Sequence, residues 1–224
     1  MKNGTMYAAR LKKAYAKIRQ AASQPDIPEL DEPLRRLAVA ILGVQTSEEE
    51  ASRALDRAFD HVVDWNELRV SSAKELNKAT GNVIPHGVER CQKLIGALQA
   101  IYDNENRLSL DHLRNLGRRD ARHYLERLDG VDAYAVASVV LWSLGGHAIP
   151  VDDRLLEALR RADLVNPNAD RSEVQAFLER HISATDAKAF CLIMRGYAPK
   201  KASAKSAPKT KAAGKKKRST SKAK

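Results

Sequence analysis

Leu128-Asp129-Gly130-Val131-Asp132-Ala133-Tyr134, running on through an apolar stretch to Ile149-Pro150-Val151-Asp152-Asp153-Arg154, decides how the chain is read. It opens on a turn punctuated by a glycine. From Ala135 to Leu144 almost every residue is small or apolar, without Gly or Pro, which predicts a helix buried most of the way round. Gly145-Gly146-His147 stops that helix, because paired glycines supply the left-handed conformations that close a helix C-terminus, and Pro150 bars its resumption. Asp152 then heads the next helix. A carboxylate there suits helix capping and suits catalysis equally well, and the sequence leaves both uses open.

The 224 residues carry a formal net charge of +11, and the distribution says more than the total. Eleven Lys and Arg and no Asp or Glu fall from Lys200 onward, leaving 28 basic against 28 acidic residues upstream. The upstream part is near neutral and long enough to bury a core. The last 25 residues hold only Lys, Arg, Ala, Ser, Thr, Pro and Gly, a composition expected to be disordered by itself. Such a polycation binds phosphates by counterion release, without reading sequence and with steep salt dependence. Lys215, Lys216, Lys217 and Arg218 are its candidate DNA contacts, and a tail that serves only solubility is the other reading.

Cys91 and Cys191 have no Cys-x-x-Cys or His-rich spacing around them, so neither a zinc site nor a disulfide framework is indicated. Two free buried thiols in a reducing compartment are expected. The start, Met1-Lys2-Asn3-Gly4, lacks an apolar signal core, and no apolar run approaches the ~20 residues that cross a bilayer. The expectation is a cytoplasmic protein that does not touch membrane.

The rest of the chain reads as helices. Tyr7, Leu11, Tyr15 and Ile18 mark an amphipathic helix over about 5–22, whose basic face is either a nucleic-acid contact or a solvated surface. Asp31-Glu32-Pro33 opens a second helix, with Leu34, Leu37, Ala38, Ile41 and Leu42 as its apolar stripe. Gly43-Val44-Gln45-Thr46 ends it, and Ser47-Glu48-Glu49-Glu50 matches a capping box for a third. Asp64 and Ser71 or Ser72 are expected to cap two short helices, and Gly81 to Gly87 is a loop holding His86. A long helix over about 88–102 follows, then helices over Leu110–Leu116 and Ala121–Leu128 capped by Ser109 and Asp120. Further helices are expected over about 154–162, 171–181 and 186–195. No segment alternates like a strand for long, so the fold class is all-α, with about ten short helices.

In that setting the central stretch resembles the helix-hairpin-helix DNA glycosylase superfamily of the endonuclease III type. The family's hairpin, Leu-x-Gly-Val-Gly, is followed four residues after its first Gly by a catalytic Lys, and 22 residues after it by a catalytic Asp in a Val-Asp pair. Gly130 leads to Tyr134 and to Asp152 at the same separations. Leu42-Gly43-Val44-Gln45-Thr46 is similar to the segment whose Gln fills the gap left by an extruded base. Leu192-Ile193-Met194-Arg195-Gly196 resembles the helix ahead of the family's iron-sulfur cluster. The resemblance covers about Asp31 to Tyr197, strongly in its second half and weakly between Asp64 and Tyr102.

The resemblance implies two helical lobes flanking a cleft. One lobe would be about 31–150, the other about 1–30 joined to 151–199, and 200–224 would be the tail. It implies double-stranded DNA as partner, a monomer, nucleoid association, Asp152 as the catalytic acid, and Gln45, Gly130, Val131, Asp132 and Arg154 as DNA contacts. Three departures qualify it. Tyr134 stands at the catalytic Lys position, and a phenol cannot form the Schiff base of strand cleavage, so Lys-dependent lyase activity is expected to be absent or weak. Asp132 replaces the hairpin's second Gly, where a carboxylate repels phosphate and is expected to strain the turn. The four cluster-binding cysteines are missing, so no iron-sulfur cluster and no other cofactor or metal is expected.

Three readings follow from this. The first is a base-excision DNA glycosylase that hydrolyses the N-glycosidic bond of a damaged or mismatched base. The second is a catalytically inactive DNA-binding protein that uses the fold and the basic tail for nucleoid association. The third is a helical scaffold whose tail meets RNA or acidic proteins.

Overall fold

The computed structural model describes residues 4–21 and 25–195. Among them all regular structure is helical, in the order α1 (Gly4–Ala21), α2 (Pro33–Leu42), α3 (Glu48–Phe59), α4 (Trp65–Val70), α5 (Ala73–Ala79), α6 (Gly87–Glu105), a 3₁₀ turn (Asp111–Asn115), α7 (Arg118–Glu126), α8 (Ala133–Trp142), α9 (Asp153–Arg161), α10 (Arg171–His181) and α11 (Ala184–Arg195). The all-α expectation holds. No described helix is long and apolar enough to cross a membrane.

Helix α8 sits at the centre. Every residue from Ala135 to Trp142 is buried, as the unbroken apolar run predicts, because α2, α7 and α11 pack around it. Helix α6 carries α2, α4 and α5, whereas α1 packs on α10 and α11, and α9 on α11. The helices therefore fall into two packed groups, α2 to α8 and α1 with α9 to α11, joined where α11 meets α8 and sharing one apolar core. At that junction the cationic groups of Arg36 and Lys188 lie over the Trp142 ring, 5.9 and 5.7 Å from its centroid. Asp31 locks the entry to α2, its amide donating to the Trp142 carbonyl at 3.1 Å.

Local chemistry sets the helix starts, and several differ from the sequence reading. Glu32 caps α2, accepting the Leu34 and Arg35 amides with Pro33 at the first helical position. Ser47 caps α3, but its box is half formed: the Glu50 carboxylate is taken by the Thr46 hydroxyl at 2.6 Å. The complete capping box is Ser72 with Glu75 on α5. Asp120 does not cap α7. Gly117 is the N-cap, and Asp120 lies in the first turn, where a negative charge complements the helix dipole. Residues 110–116 make only the 3₁₀ turn, with Ser109 Oγ accepting the Asp111 amide.

Candidate functional site

The hairpin lies between α7 and α8. Its turn is closed by the Val131 amide donating to the Leu128 carbonyl at 3.3 Å. Gly130 has φ +74, in the left-handed region, and a Cβ there would stand 2.6 Å from the Lys93 carbonyl oxygen and 3.0 Å from Lys93 Cα on α6. Glycine is required twice over, for its conformation and for the backbone contact. Beside it the Asp129 carboxylate lies over Gly96, so the turn is seated on α6.

Asp132 corrects an expectation. Its φ of −97 and ψ of 170 are extended backbone open to any residue, so the strain expected from losing glycine is absent. Its carboxylate is the N-cap of α8, accepting the Ala135 amide at 2.8 Å. The side chain nonetheless stays exposed and presents negative charge at the turn. Tyr134, the second residue of α8, is half-buried and packs against the core.

Asp152 begins α9. Between the two helices the chain leaves α8 through Gly145, at φ +62, with Gly146 donating to the Val140 carbonyl at 2.8 Å. It then runs through Ala148, Ile149, Pro150 and Val151, all buried, before Asp152 emerges half-exposed. The Asp152 carboxylate accepts the Leu155 amide at 2.7 Å. It is the cap itself: Asp153 does not share that duty, because its carboxylate pairs with Arg171 on α10. One oxygen of Asp152 is thus fixed by the helix it starts, which orients the other. Arg154 is exposed on the first turn of α9.

Gln45 is exposed on the α2–α3 connection with φ +67. A non-glycine residue in that region carries local strain, which is where functional side chains recur. The connection and the hairpin are borne by neighbouring helices, since α2 packs on α8. Lys215, Lys216, Lys217 and Arg218, together with the rest of the tail, lie outside the described residues.

Two side chains that the sequence reading did not single out hold the loop before Asp152. His147 Nε2 lies 3.0 Å from the Ile182 carbonyl oxygen, and the Glu179 carboxylate accepts the Ile149 amide at 3.2 Å. Glu179 is separated from Ile149 by 30 residues, and nothing in a helical pattern marks it. The chain's two thiols, Cys91 on α6 and Cys191 on α11, are buried in the core and not joined in a disulfide, and they are two short of the four cysteines that hold the cluster in the family resembled. Burial pushes the Cys91 thiol up to about 12. Among the described residues no group of three or more His, Cys, Asp or Glu is placed to hold a metal.

No protein-family model and no curated protein sequence matches the chain. Solved structures do. A trapped covalent intermediate of endonuclease III with DNA is similar at a TM-score of 0.63 and 17% identity, over 87% of this chain and 85% of that one. A thermostable thymine-DNA glycosylase is similar at 0.60 and 19%, over 84% and 85%. The H. pylori 3-methyladenine DNA glycosylase, bound to 1,N6-ethenoadenine, is similar at 0.60 and 15%, over 84% and 94%. The chain therefore has the fold of the helix-hairpin-helix DNA glycosylases, in keeping with the resemblance of its central stretch.

Proposed function

We propose that this chain is a DNA glycosylase of base-excision repair, hydrolysing the N-glycosidic bond of a damaged or mismatched base in double-stranded DNA. One observation carries the reading: in a fold shared with DNA glycosylases, the Asp152 carboxylate is held by one oxygen at the head of α9, 22 residues after the hairpin glycine. Breaking the bond develops positive charge on the sugar of an extruded nucleotide. A carboxylate fixed near C1′ stabilises that charge and orients or deprotonates the attacking water. Tyr134 offers no amine, so the reaction stops at an abasic site and the strand stays intact.

In this reading the cleft lies between a middle lobe of about 31–150 and a second lobe of about 1–30 with 151–199. Gln45 fills the space of the extruded base, Gly130, Val131 and Asp132 meet a phosphate through the hairpin, and Arg154 meets another. The tail, with Lys215 to Arg218, raises local affinity for DNA. The protein acts as a monomer at the nucleoid without an iron-sulfur cluster or other cofactor.

The test is single-turnover base release from duplexes carrying uracil, mismatched thymine, alkylated purines or oxidised pyrimidines, comparing the intact chain with Asp152→Asn. Release of one base class, lost in the variant and with strand breaks only after alkali, supports the reading. No release from any duplex, with salt-steep DNA binding, turns it to the inactive DNA-binding protein. That second reading has its own observation, the exposed Asp132 carboxylate on the hairpin.

A further inference from the structure

We propose that Glu179 is the positioning residue that sets the Asp152 carboxylate against the hairpin. The inference rests on the glycosylase reading, which alone gives Asp152 a task at reacting atoms. Between the glycine closure of α8 and the cap of α9, residues 147–151 lie outside any helix. Two side-chain bonds hold this segment, and both reach the C-terminal end of α10: His147 to the Ile182 carbonyl at 3.0 Å, and the Ile149 amide to Glu179 Oε1 at 3.2 Å. Ile149 is fully buried, so its amide has no water to fall back on. Pro150, next in the chain, has no amide to offer.

Glu179 also reaches further. Gln175, one turn earlier on α10, donates to the same Oε1 at 3.0 Å and fixes the carboxylate's orientation. The other oxygen, Oε2, lies 3.5 Å from the Arg122 guanidinium. Arg122 stands on α7, the first helix of the hairpin. One carboxylate thus ties the segment leading to Asp152 to the hairpin helix, with α10 as the rigid back. The Glu179 side chain is 20% exposed, where a charge-assisted bond is screened less than at the surface. Only Pro150 and Val151 separate its anchor at Ile149 from Asp152, so the tether acts on Asp152 through a short stiff link.

The experiment compares Glu179→Ala and Glu179→Gln with the intact chain by amide hydrogen exchange over residues 147–155, by DNA affinity and by single-turnover base release. Glu179→Ala is expected to raise exchange tenfold or more at Ile149 and at the Leu155 amide that Asp152 caps. It lowers the base-release rate by about 10–100-fold, the penalty typical of an ångström-scale misplacement, while DNA affinity stays within about twofold. Glu179→Gln keeps an acceptor for the Ile149 amide and recovers most of the protection and the rate. Unchanged exchange at Ile149 and Leu155 in Glu179→Ala overturns the proposal, as does a full base-release rate when those amides are exposed. A uniform rise in exchange across α9 and α10 also overturns it, since that marks lost stability and not a lost tether. Should the intact chain release no base, the glycosylase reading fails on that ground alone. The Leu155 amide still reports whether Glu179 holds the Asp152 carboxylate in place.

Discussion

A side chain at Gly130 would point into the backbone of Lys93, its Cβ only 2.6 Å from that residue's carbonyl oxygen. The hairpin and α6 therefore touch backbone to backbone, and the left-handed φ of +74 at Gly130 adds a second reason for glycine. Gly130→Ala is expected to cost about 2 kcal/mol or more, from the left-handed penalty plus the displacement of α6. Urea unfolding measures it. A loss below about 0.5 kcal/mol, within the range of ordinary surface changes, would mean that the turn does not need this contact.

Capping and catalysis at Asp152 separate by substitution. Asparagine caps as well as aspartate, whereas alanine does not, so Asp152→Asn should leave stability within about 0.5 kcal/mol and Asp152→Ala should lower it by about 1 kcal/mol. Both should abolish base release if the carboxylate acts on the sugar. Base release surviving in Asp152→Asn would reduce Asp152 to a cap.

Asp132→Asn keeps the cap on Ala135 and removes the negative charge from the hairpin. DNA affinity is expected to rise several-fold at low salt, with the gain shrinking as salt is added. Titration of a lesion-free duplex at two salt concentrations checks this. No change in affinity would mean that the hairpin is not a phosphate contact.

At Gln45 the backbone is the lever. Gln45→Gly relieves the φ of +67 and is expected to stabilise the fold by about 0.5–1 kcal/mol. It should also weaken discrimination between lesion-bearing and intact duplexes, because glycine cannot fill the space of an extruded base. A variant that is more stable and keeps full discrimination would show that the strained backbone serves no DNA contact.

Cys91 links the core to alkaline pH. Burial raises its thiol from 9.0 to about 12, so folding favours the neutral form. That contribution is complete below about pH 9, where both states carry the proton, and is lost as the pH climbs toward 12. Tyr124, also raised to about 12 by burial and by Glu105, acts in the same direction. Thermal midpoints should fall from pH 9 upward, less steeply in Cys91→Ala than in the intact chain. A thiol reagent at pH 8 should leave Cys91 untouched until urea is added.

Much of this architecture was legible in residue order because its causes are local. The apolar run of α8, the glycines at Gly130 and Gly145, and the Asp at the head of α9 act through neighbours within a turn of the chain. The departures arise where local chemistry offers two partners. Glu50 takes the Thr46 hydroxyl in place of the reciprocal bond of its capping box, and Asp120, expected to cap α7, lies in its first turn while Gly117 is the N-cap. Asp132 shows the converse. The sequence marks it as a misfit in a glycine position, yet its φ is ordinary and its carboxylate has a cap to make.

The sequence by itself determined that the chain is all helix, where its central hairpin turns, and how far Asp152 stands from Gly130. Periodicity, glycine conformation and capping are set within a few residues. Only the tertiary structure decided that Gly130 must admit the backbone of Lys93, and that the segment leading to Asp152 is held by Glu179 and, through it, by Arg122. Those contacts join positions about 30 or more residues apart. A bond between distant side chains leaves no periodic trace, because it depends on how helices pack and not on the order in which they are made.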